Sequence, residues 1–155
     1  MRRNDREINS FEEIVKVIEQ CEVCHLAFFD EEYPYILPMN FGLKLEQEQI
    51  TLYFHGALEG KKYELMAKNN KVGFEMDCSH RLVINEETST CTMEYESVIG
   101  TGILTMVENA DKLEALKILM KQYHREGFEI NEKVIPFTNV FQLAVTSFTG
   151  KKRML

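Results

Sequence analysis

A strand-like alternation of apolar and polar side chains runs from residue 92 to residue 107, through Gly100 and Gly102. Side chains of a β-strand point alternately to its two faces, so this run predicts one bent strand or a bulged pair of strands. Shorter alternating or apolar runs cover residues 23–29, 33–37, 50–55, 72–76 and 140–146. Because they follow one another without regular strand-helix-strand alternation, the chain is predicted to be mainly β, a six- to seven-stranded antiparallel barrel with peripheral helices.

Three segments outside these runs are predicted to be helices. The first follows a capping box at residues 10–13 and ends near residue 20. The second covers residues 63–68, and the third begins at residue 109 or 111 and ends at Gly127. The basic residues 150–153 are expected to follow the last strand as a tail.

Composition limits the partners that this chain can have. Its 155 residues are expected to form a single domain, residues 1–155. Lys and Arg number 18 against 25 Asp and Glu, and the net charge of -7 argues against a nucleic-acid-binding protein. The sequence has neither an apolar run of about 18 residues, as in a transmembrane helix, nor an apolar export signal at its start. We therefore expect a soluble cytoplasmic protein that binds neither nucleic acid nor membranes.

The four cysteines allow two metal-related alternatives to simple core packing. Residues 21–25 have the C-x-x-C-H spacing of covalent haem attachment, but that chemistry belongs to exported proteins. Cys21, Cys24, Cys78 and His80 could together supply the thiolate and imidazole ligands of a zinc site, although their spacing is unusual for one. We expect reduced cysteines that pack as small apolar residues, and no metal.

The strand at residues 50–55 leads into the stretch most suggestive of a binding site. Period two puts Tyr53 and His55 on one face and the apolar residues on the other. A glycine-flanked loop, residues 56–60, then leads to Lys61 and Lys62 at the start of a helix. Free backbone N–H groups and the helix dipole favour an anion there, and the two lysines add positive charge. The alternative is an ordinary loop followed by a solvated, charged helix face.

No catalytic signature accompanies this loop. Glu94 and Glu96 lie two residues apart on one strand face, where like charges are usually solvated. The sequence lacks the G-x-S-x-G, Walker, H-E-x-x-H and G-x-G-x-x-G motifs, which argues against most hydrolases, kinases and dinucleotide-binding enzymes. The residues alone therefore predict a small antiparallel barrel with one phosphate-like anion site.

Three segments in fixed order resemble the flavin-binding split-barrel superfamily. They are residues 35–42 (YILPMNFG), 52–62 (LYFHGALEGKK) and 95–102 (YESVIGTG). Within this superfamily, which is related to pyridoxamine 5′-phosphate oxidase, the chain is most similar to the nitroimidazole-resistance group. The resemblance extends over almost the whole chain and implies an antiparallel split β-barrel that binds FMN at a homodimer interface.

The resemblance also implies which residues hold the FMN. Its phosphate is expected to lie against His55, Gly56, Ala57, Gly60, Lys61 and Lys62. The isoalloxazine ring is expected beside Pro38, Met39, Asn40 and Phe41, largely through their backbone groups. Tyr53 shares the strand face of His55, and Glu94, Ser97 and Val98 are expected to approach from the partner subunit. Relatives often carry a basic residue where Glu96 stands, so the polarity near the ring differs in this chain.

The function implied is an FMN-dependent reductase that passes electrons from NAD(P)H to a nitro-aromatic, 5-nitroimidazole-like molecule or another small acceptor. His55 matches the histidine that is implicated in substrate chemistry in the nitroimidazole group, and it is the candidate catalytic residue. The alternative is a non-catalytic flavin or haem carrier or sensor with the same fold. A zinc-stabilised binding module built on the cysteines is the third hypothesis.

Overall fold

The computed structural model describes residues 4–154. It contains one antiparallel sheet, whose strands differ in length, and three α-helices around it. The helices are α1 (Phe11–Gln20), α2 (Lys61–Lys68) and α3 (Lys112–Gln122). The strands are β1 (Glu7–Ile8), β2 (Cys24–Phe28), β3 (Tyr35–Met39), β4 (Gly42–Glu46), β5 (Gln49–Gly56), β6 (Lys71–Asn85), β7 (Thr90–Met106) and β8 (Asn139–Arg153). Single 3-10 turns cover Asn4–Arg6, Asn109–Asp111 and Glu132–Phe137.

The strand order is β3-β2-β6-β7-β8-β5-β4, and β1 pairs with the end of β8. All neighbouring strands are antiparallel. The path begins at β3 and ends at β4, so the sheet is not closed. The predicted mainly β, antiparallel barrel architecture with peripheral helices is confirmed, and the eighth strand is the two-residue β1.

The longest strands differ from their predicted lengths. The predicted strand of residues 72–76 extends to Asn85 because it pairs with β7 on both sides of a register shift between Cys78 and Arg81. Residues 92–106 lie in the single strand β7, the first of the two predicted alternatives, and its register against β8 shifts between Thr101 and Gly102. The predicted basic tail of residues 150–153 was wrong, since these residues belong to β8 and pair with β7.

The third helix ends earlier than predicted. Its last residue is Gln122 rather than a residue beside Gly127, and the chain reverses at His124, whose φ is 57°. Tyr123 therefore lies at the helix end, where its hydroxyl bonds to two other segments. Neither the early end nor the 3-10 turn at Glu132–Phe137 is signalled by glycine or by apolar periodicity.

The main core lies between the inner face of the sheet, α1 and α2. It includes the stacked rings of Phe54 and Phe141, whose centroids are 5.3 Å apart, and Leu65 of α2. Burying such large apolar side chains is the main source of stability in a domain of this size. Among the helices of residues 4–154, none has the length and apolar character needed to cross a bilayer.

Helix α3 packs on the outer side of the sheet, against β4 and β5. A Cβ atom added to Gly42 would lie 2.6 Å from the backbone nitrogen of Leu119, so only glycine allows this approach. Val107, Ala115 and Val140 form a second, smaller cluster, and Tyr53 packs against it. Helix α3 thus covers part of the face that carries Tyr53 and His55.

Candidate functional site

The opening of the sheet brings two unpaired strand edges into one region. Strand β3 pairs only with β2, and β4 begins with Gly42 opposite Tyr53, so residues 54–56 of β5 pair only with β8. Asn40, which follows β3, and His55 line the same cavity. The backbone groups on these two edges are therefore available to a ligand in the part of the chain that the structure describes.

The loop between β5 and α2 is shaped by two glycines. Gly60 has a φ of 144°, a value that side chains rarely adopt. A Cβ on Gly56 would lie 2.9 Å from the Tyr63 hydroxyl and 3.1 Å from the Lys62 ammonium nitrogen. Because Gly56 has no side chain, Lys62 can fold back over the loop and occupy space that a side chain at residue 56 would otherwise fill.

The two lysines at the start of α2 have different surroundings. The Lys62 ammonium lies 4.5 Å from the centre of the Tyr63 ring and has no carboxylate partner among residues 4–154. The Lys61 ammonium lies 2.5 Å from an Asp30 carboxylate oxygen and 5.3 Å from the centre of the Tyr35 ring. The hydrogen bond between them raises the pKa of Lys61 and lowers the pKa of Asp30. Lys62 is therefore the cation that is open to an external anion.

His55 directly precedes Gly56 at the end of β5. Its side chain reaches solvent at the mouth of a cavity of about 310 Å³, whose other lining residues are Asn40, Leu119, Met120 and Tyr123. Partial burial lowers the pKa of its imidazole, because removal of water disfavours the charged form. At neutral pH His55 is therefore an uncharged imidazole that can donate one hydrogen bond and accept another.

The segment of residues 38–41 is held by Tyr123 of α3. The Tyr123 hydroxyl accepts hydrogen bonds from the Asn40 side-chain amide and the Phe41 backbone N–H, each 3.1 Å long, and donates one of 2.7 Å to the Glu22 carbonyl. The Asn40 amide also donates to Glu22 at 3.2 Å. Phe41 is fully buried, and its backbone N–H is used by Tyr123, so the exposed member of this pair is Asn40.

Tyr53 and the β7 residues lie apart from the loop of residues 56–60. Tyr53 packs against the small cluster under α3. Glu94, Ser97 and Val98 are on β7, and two strands, β6 and β2, separate β7 from β3 within one chain. Their expected approach from a partner subunit stays a prediction.

Glu94 is not solvated, and that expectation was wrong. Its side chain is 1% exposed, and a carboxylate oxygen accepts a hydrogen bond of 2.6 Å from Arg81, its cross-strand neighbour. Glu94 is buried because its side chain is on the inward-facing side of β7, as the side chain of Val98 is. Glu96, on the same strand, accepts a hydrogen bond of 2.9 Å from the Ser79 hydroxyl.

The cysteines do not assemble a metal site. Cys21 and Cys24 are buried, and burial raises the pKa of both thiols, which disfavours the thiolate form that binds metals. His80 is 2.9 Å from Asp77, and within residues 4–154 no cluster of three or more His, Cys, Asp or Glu side chains could hold a metal ion. Cys21 and Cys24 are also the two cysteines of the C-x-x-C-H motif, and their burial in the core argues against covalent haem attachment.

Two residues of this region carry no expected role in the sequence. Asp30 directly follows the predicted strand of residues 23–29, and Tyr123 lies within the third predicted helix. Both act through partners that are far away along the chain, Lys61 for Asp30 and the 38–41 segment for Tyr123. No local pattern could have indicated them, because a long-range hydrogen bond leaves no periodicity in the sequence.

Solved structures with similar folds include flavoproteins. A candidate 5-nitroimidazole antibiotic resistance protein from Bacteroides thetaiotaomicron is 30% identical, with a TM-score of 0.82 over 94% of this chain and 86% of that chain. The flavocytochrome Anf3 from Azotobacter vinelandii is 18% identical, with a TM-score of 0.79 over 100% and 72% of the two chains. An FAD and haem binding protein from Mycobacterium smegmatis is 15% identical, with a TM-score of 0.81 over 97% and 74%. These likenesses confirm the split-barrel fold.

No curated protein sequence matches this chain significantly. The family model described as pyridoxamine 5′-phosphate oxidase matches residues 10–152, which include every strand from β2 to β7 and most of β8. The matched region also contains the loop of residues 56–60, both lysines of α2 and the cavity beside His55. This chain belongs to the pyridoxamine 5′-phosphate oxidase family.

Proposed function

We propose that the protein binds FMN and passes electrons from NAD(P)H to a nitro-aromatic or another small oxidised acceptor. The observation that carries this proposal is the Lys62 ammonium, folded over the Gly56 loop without a carboxylate partner among the described residues. A cation held over a glycine cradle at the start of a helix is suited to a phosphate group. The flavoprotein relatives and the candidate nitroimidazole-resistance relative support the same reading.

The dimensions of the region suit an extended flavin mononucleotide. Lys61 contacts Tyr35 at the first residue of β3, and Asn40 and His55 share a cavity beyond its last residue. Five residues of an extended strand span about 17 Å, at roughly 3.3 Å per residue. In the proposal Lys62, which lies over Gly56, would hold the phosphate, and the free edge of β3 would offer its backbone groups to the ring.

When bound, the flavin supplies the redox chemistry, which the side chains of this chain cannot perform. Lys62 and the loop N–H groups hold the phosphate, and Lys61 adds charge from its pair with Asp30. Tyr123 keeps the 38–41 backbone in place. The neutral His55 imidazole can donate a hydrogen bond to an acceptor oxygen. In the overall reaction, reduction of a nitro group to a nitroso group consumes two electrons and two protons and releases water.

A homodimer is part of this proposal. The outer face of β7 and β8 carries an exposed, uncharged patch: Ile99, Thr101, Ile103, Thr105, Ala144, Thr146, Ser147 and Thr149. In a chain with 28% charged residues, an exposed sheet face without charge is typical of a surface that is covered by another protein. A second copy bound there would bring its own β7 close to the first copy. Ser97 is on the same strand face as this patch, whereas the side chains of Glu94 and Val98 are on the buried face.

The proposal is tested by an absorbance titration with FMN followed by a steady-state assay. We expect the bound flavin to give visible absorbance bands, and NAD(P)H oxidation to accelerate when a 5-nitroimidazole is added. If the protein binds FMN but never accelerates NAD(P)H oxidation, it is a carrier or sensor, a possibility that the haem-binding relatives favour. A protein that binds no FMN would contradict the whole proposal.

A further inference from the structure

We propose that Cys78 is an oxidation site, and that its reaction with a hydroperoxide leads to a disulfide bond with Cys21. The oxidant is hydrogen peroxide or an organic hydroperoxide from the surroundings. The disulfide forms whether or not the protein holds a flavin, so it is independent of the proposed reductase function.

The two cysteines meet where the end of α1 packs against β6. Cys21 is the residue that ends α1, and its backbone N–H donates a hydrogen bond of 3.2 Å to the Val17 carbonyl. The Cys78 sulfur lies 4.0 Å from the same carbonyl oxygen, and Cys78 packs against the core cluster that contains Cys21. A hydrogen bond also links the two thiols. Tertiary packing thus places side by side two sulfur atoms that are far apart along the chain.

The two thiols differ in their access to solvent. Cys21 is 2% exposed, whereas Cys78 is only partly buried at the edge of the core. Burial, together with the neighbouring Cys78 thiol, raises the pKa of Cys21 and makes it a poor first nucleophile. A peroxide that arrives from solvent therefore reaches Cys78 first, and Cys21 is held ready for the second step.

A bulge beside Cys78 gives the backbone room to adjust. The register of β6 against β7 shifts between Cys78 and Arg81, so that two residues of β6 lie opposite Tyr95. The first of these two, Ser79, has a φ of 60°, in the left-handed region that few side chains adopt. Because a bulge interrupts the regular ladder, Cys78 can move toward Cys21 without displacing the rest of β6.

The oxidation consists of two balanced steps. In the first step the Cys78 sulfur attacks hydrogen peroxide, the O–O bond breaks, and a sulfenic acid and one water form. In the second step the Cys21 sulfur attacks the Cys78 sulfur, and the S–O bond breaks as the S–S bond forms, with release of a second water. Overall the two thiols lose two electrons and two protons, and one peroxide becomes two waters.

The other two cysteines are less suited to this chemistry. Cys24 is 0% exposed, and burial raises the pKa of its thiol. Cys91 is exposed, but it lies opposite Ile84, near the turn that joins β6 to β7. We therefore expect one intramolecular pair among the four cysteines.

The disulfide would join the end of α1 to the sheet. Glu22, the residue after Cys21, accepts hydrogen bonds at its carbonyl from Tyr123 and Asn40. A bond at Cys21 would therefore fix the start of the connection that supports the 38–41 segment. It would also restrict the unfolded chain, so the oxidised protein should unfold at a higher urea concentration.

Peptide mapping of the oxidised, full-length protein tests the proposal. The protein is reduced, freed of reductant, treated with hydrogen peroxide, and then unfolded in N-ethylmaleimide, which blocks the remaining thiols. Cleavage after Glu22 separates Cys21 from Cys24, so that mass spectrometry identifies each partner. We expect the Cys21–Cys78 link to be at least about tenfold more abundant than any other, because the folded chain holds these two sulfurs together. The same treatment of the urea-unfolded chain is the control and should give mixed links.

Three variants separate the roles of the cysteines. Cys78→Ser should abolish the link. Cys21→Ala should leave a sulfenic acid at Cys78, which the reagent dimedone labels. Cys91→Ser, at an exposed position, should form the link as the parent protein does. Dithiothreitol should break the link and return the urea midpoint to that of the reduced protein.

Three results would overturn the proposal. They are the absence of a Cys21–Cys78 link after peroxide treatment of the folded protein, a link no more abundant than in the unfolded chain, and a lower urea midpoint for the linked protein. Each is measured on the parent chain, so none depends on the folding of a variant. Flavin binding enters none of these measurements, so failure of the proposed function would leave them unchanged.

Discussion

The ammonium of Lys61 lies 2.5 Å from a carboxylate oxygen of Asp30, and this ion pair separates the roles of two adjacent lysines. Lys61 is held toward the connection between β2 and β3, where it also contacts the Tyr35 ring. Lys62 instead folds over Gly56 and keeps its charge available. The two lysines are adjacent and identical in the sequence, but their charges differ in availability. Asp30 neutralises the charge of Lys61, whereas the charge of Lys62 is available to a phosphate.

The first prediction concerns this difference. Because Lys62 lacks a carboxylate partner in the described chain, we expect Lys62→Ala to weaken FMN binding at least tenfold, and Lys61→Ala to have a smaller effect. Riboflavin, which has no phosphate, should bind both variants as it binds the parent protein. Flavin fluorescence titrations of the parent protein and both variants, each with FMN and with riboflavin, measure these affinities. Lys68→Ala, at the other end of α2, is the control, and an equal loss of riboflavin and FMN affinity in Lys62→Ala would contradict the prediction.

The second prediction concerns the pH dependence of stability through His55. Burial lowers the pKa of His55 in the folded protein below the value of about 6.5 that is usual in an unfolded chain. As the pH falls below that value, the unfolded state binds a proton that the folded state resists, so stability is lost until the folded-state pKa is passed. Above it, both states are neutral and His55 contributes no slope.

Urea unfolding of the parent protein and of His55→Gln, from about pH 8 to about pH 5, measures this contribution. We expect the stability of the parent, relative to the variant, to fall as the pH falls. A relative stability that is constant or rises on acidification would show that burial does not lower the pKa of His55.

The third prediction concerns the contact between α3 and β4. Ala at Gly42 would place its Cβ 2.6 Å from the Leu119 nitrogen, and backbone atoms cannot move aside as a side-chain tip can. We expect Gly42→Ala to destabilise the protein by about 1–3 kcal/mol, as is usual for overpacking. Gly127→Ala is the matched control, since nothing lies within 4 Å of the added Cβ. Chemical unfolding of the two variants gives the comparison, and equal stabilities would mean that α3 can shift freely.

The fourth prediction concerns the Tyr123 hydroxyl. Tyr123→Phe leaves the partly buried Phe41 N–H without its acceptor, whereas the exposed Asn40 amide keeps its hydrogen bond to the Glu22 carbonyl. We expect a loss of about 1–3 kcal/mol in stability and weaker FMN binding, because the 38–41 segment loses its anchor. Tyr33→Phe, whose side chain is 72% exposed, is the control. A variant with lower stability but unchanged FMN affinity would show that Tyr123 has only a structural role.

The fifth prediction concerns the uncharged face of β7 and β8. Ile99 is 57% exposed on this face, so Ile99→Lys should fold normally but place a charge in the proposed dimer interface. We expect the parent to sediment as a dimer at micromolar concentration and the variant as a monomer. Val134→Lys, at a half-exposed position on the 3-10 turn before β8, should remain dimeric. A monomeric parent protein would refute the dimer.

Local patterns were sufficient for the elements near the proposed phosphate site. Alternation in residues 50–55 and the glycines that follow predicted β5, the loop and α2, since each depends on neighbours in the chain. The capping box at residues 10–13 predicted the start of α1, and the Ser10 hydroxyl does accept a hydrogen bond from the Glu13 N–H. The same reasoning was wrong for Glu94, because the two faces of a strand are indistinguishable until the sheet shows which one is inside.

By itself, the sequence determined the antiparallel β architecture, the loop with its two lysines, and the family that residues 10–152 match. Periodicity, glycine positions and charge are local properties that a sequence displays directly. Only the tertiary structure decided that Lys61 pairs with Asp30, that Glu94 is buried against Arg81, and that Tyr123 joins α3 to the 38–41 segment. These contacts join residues that are well separated in the sequence. They form only when strand order and helix packing bring the two partners together.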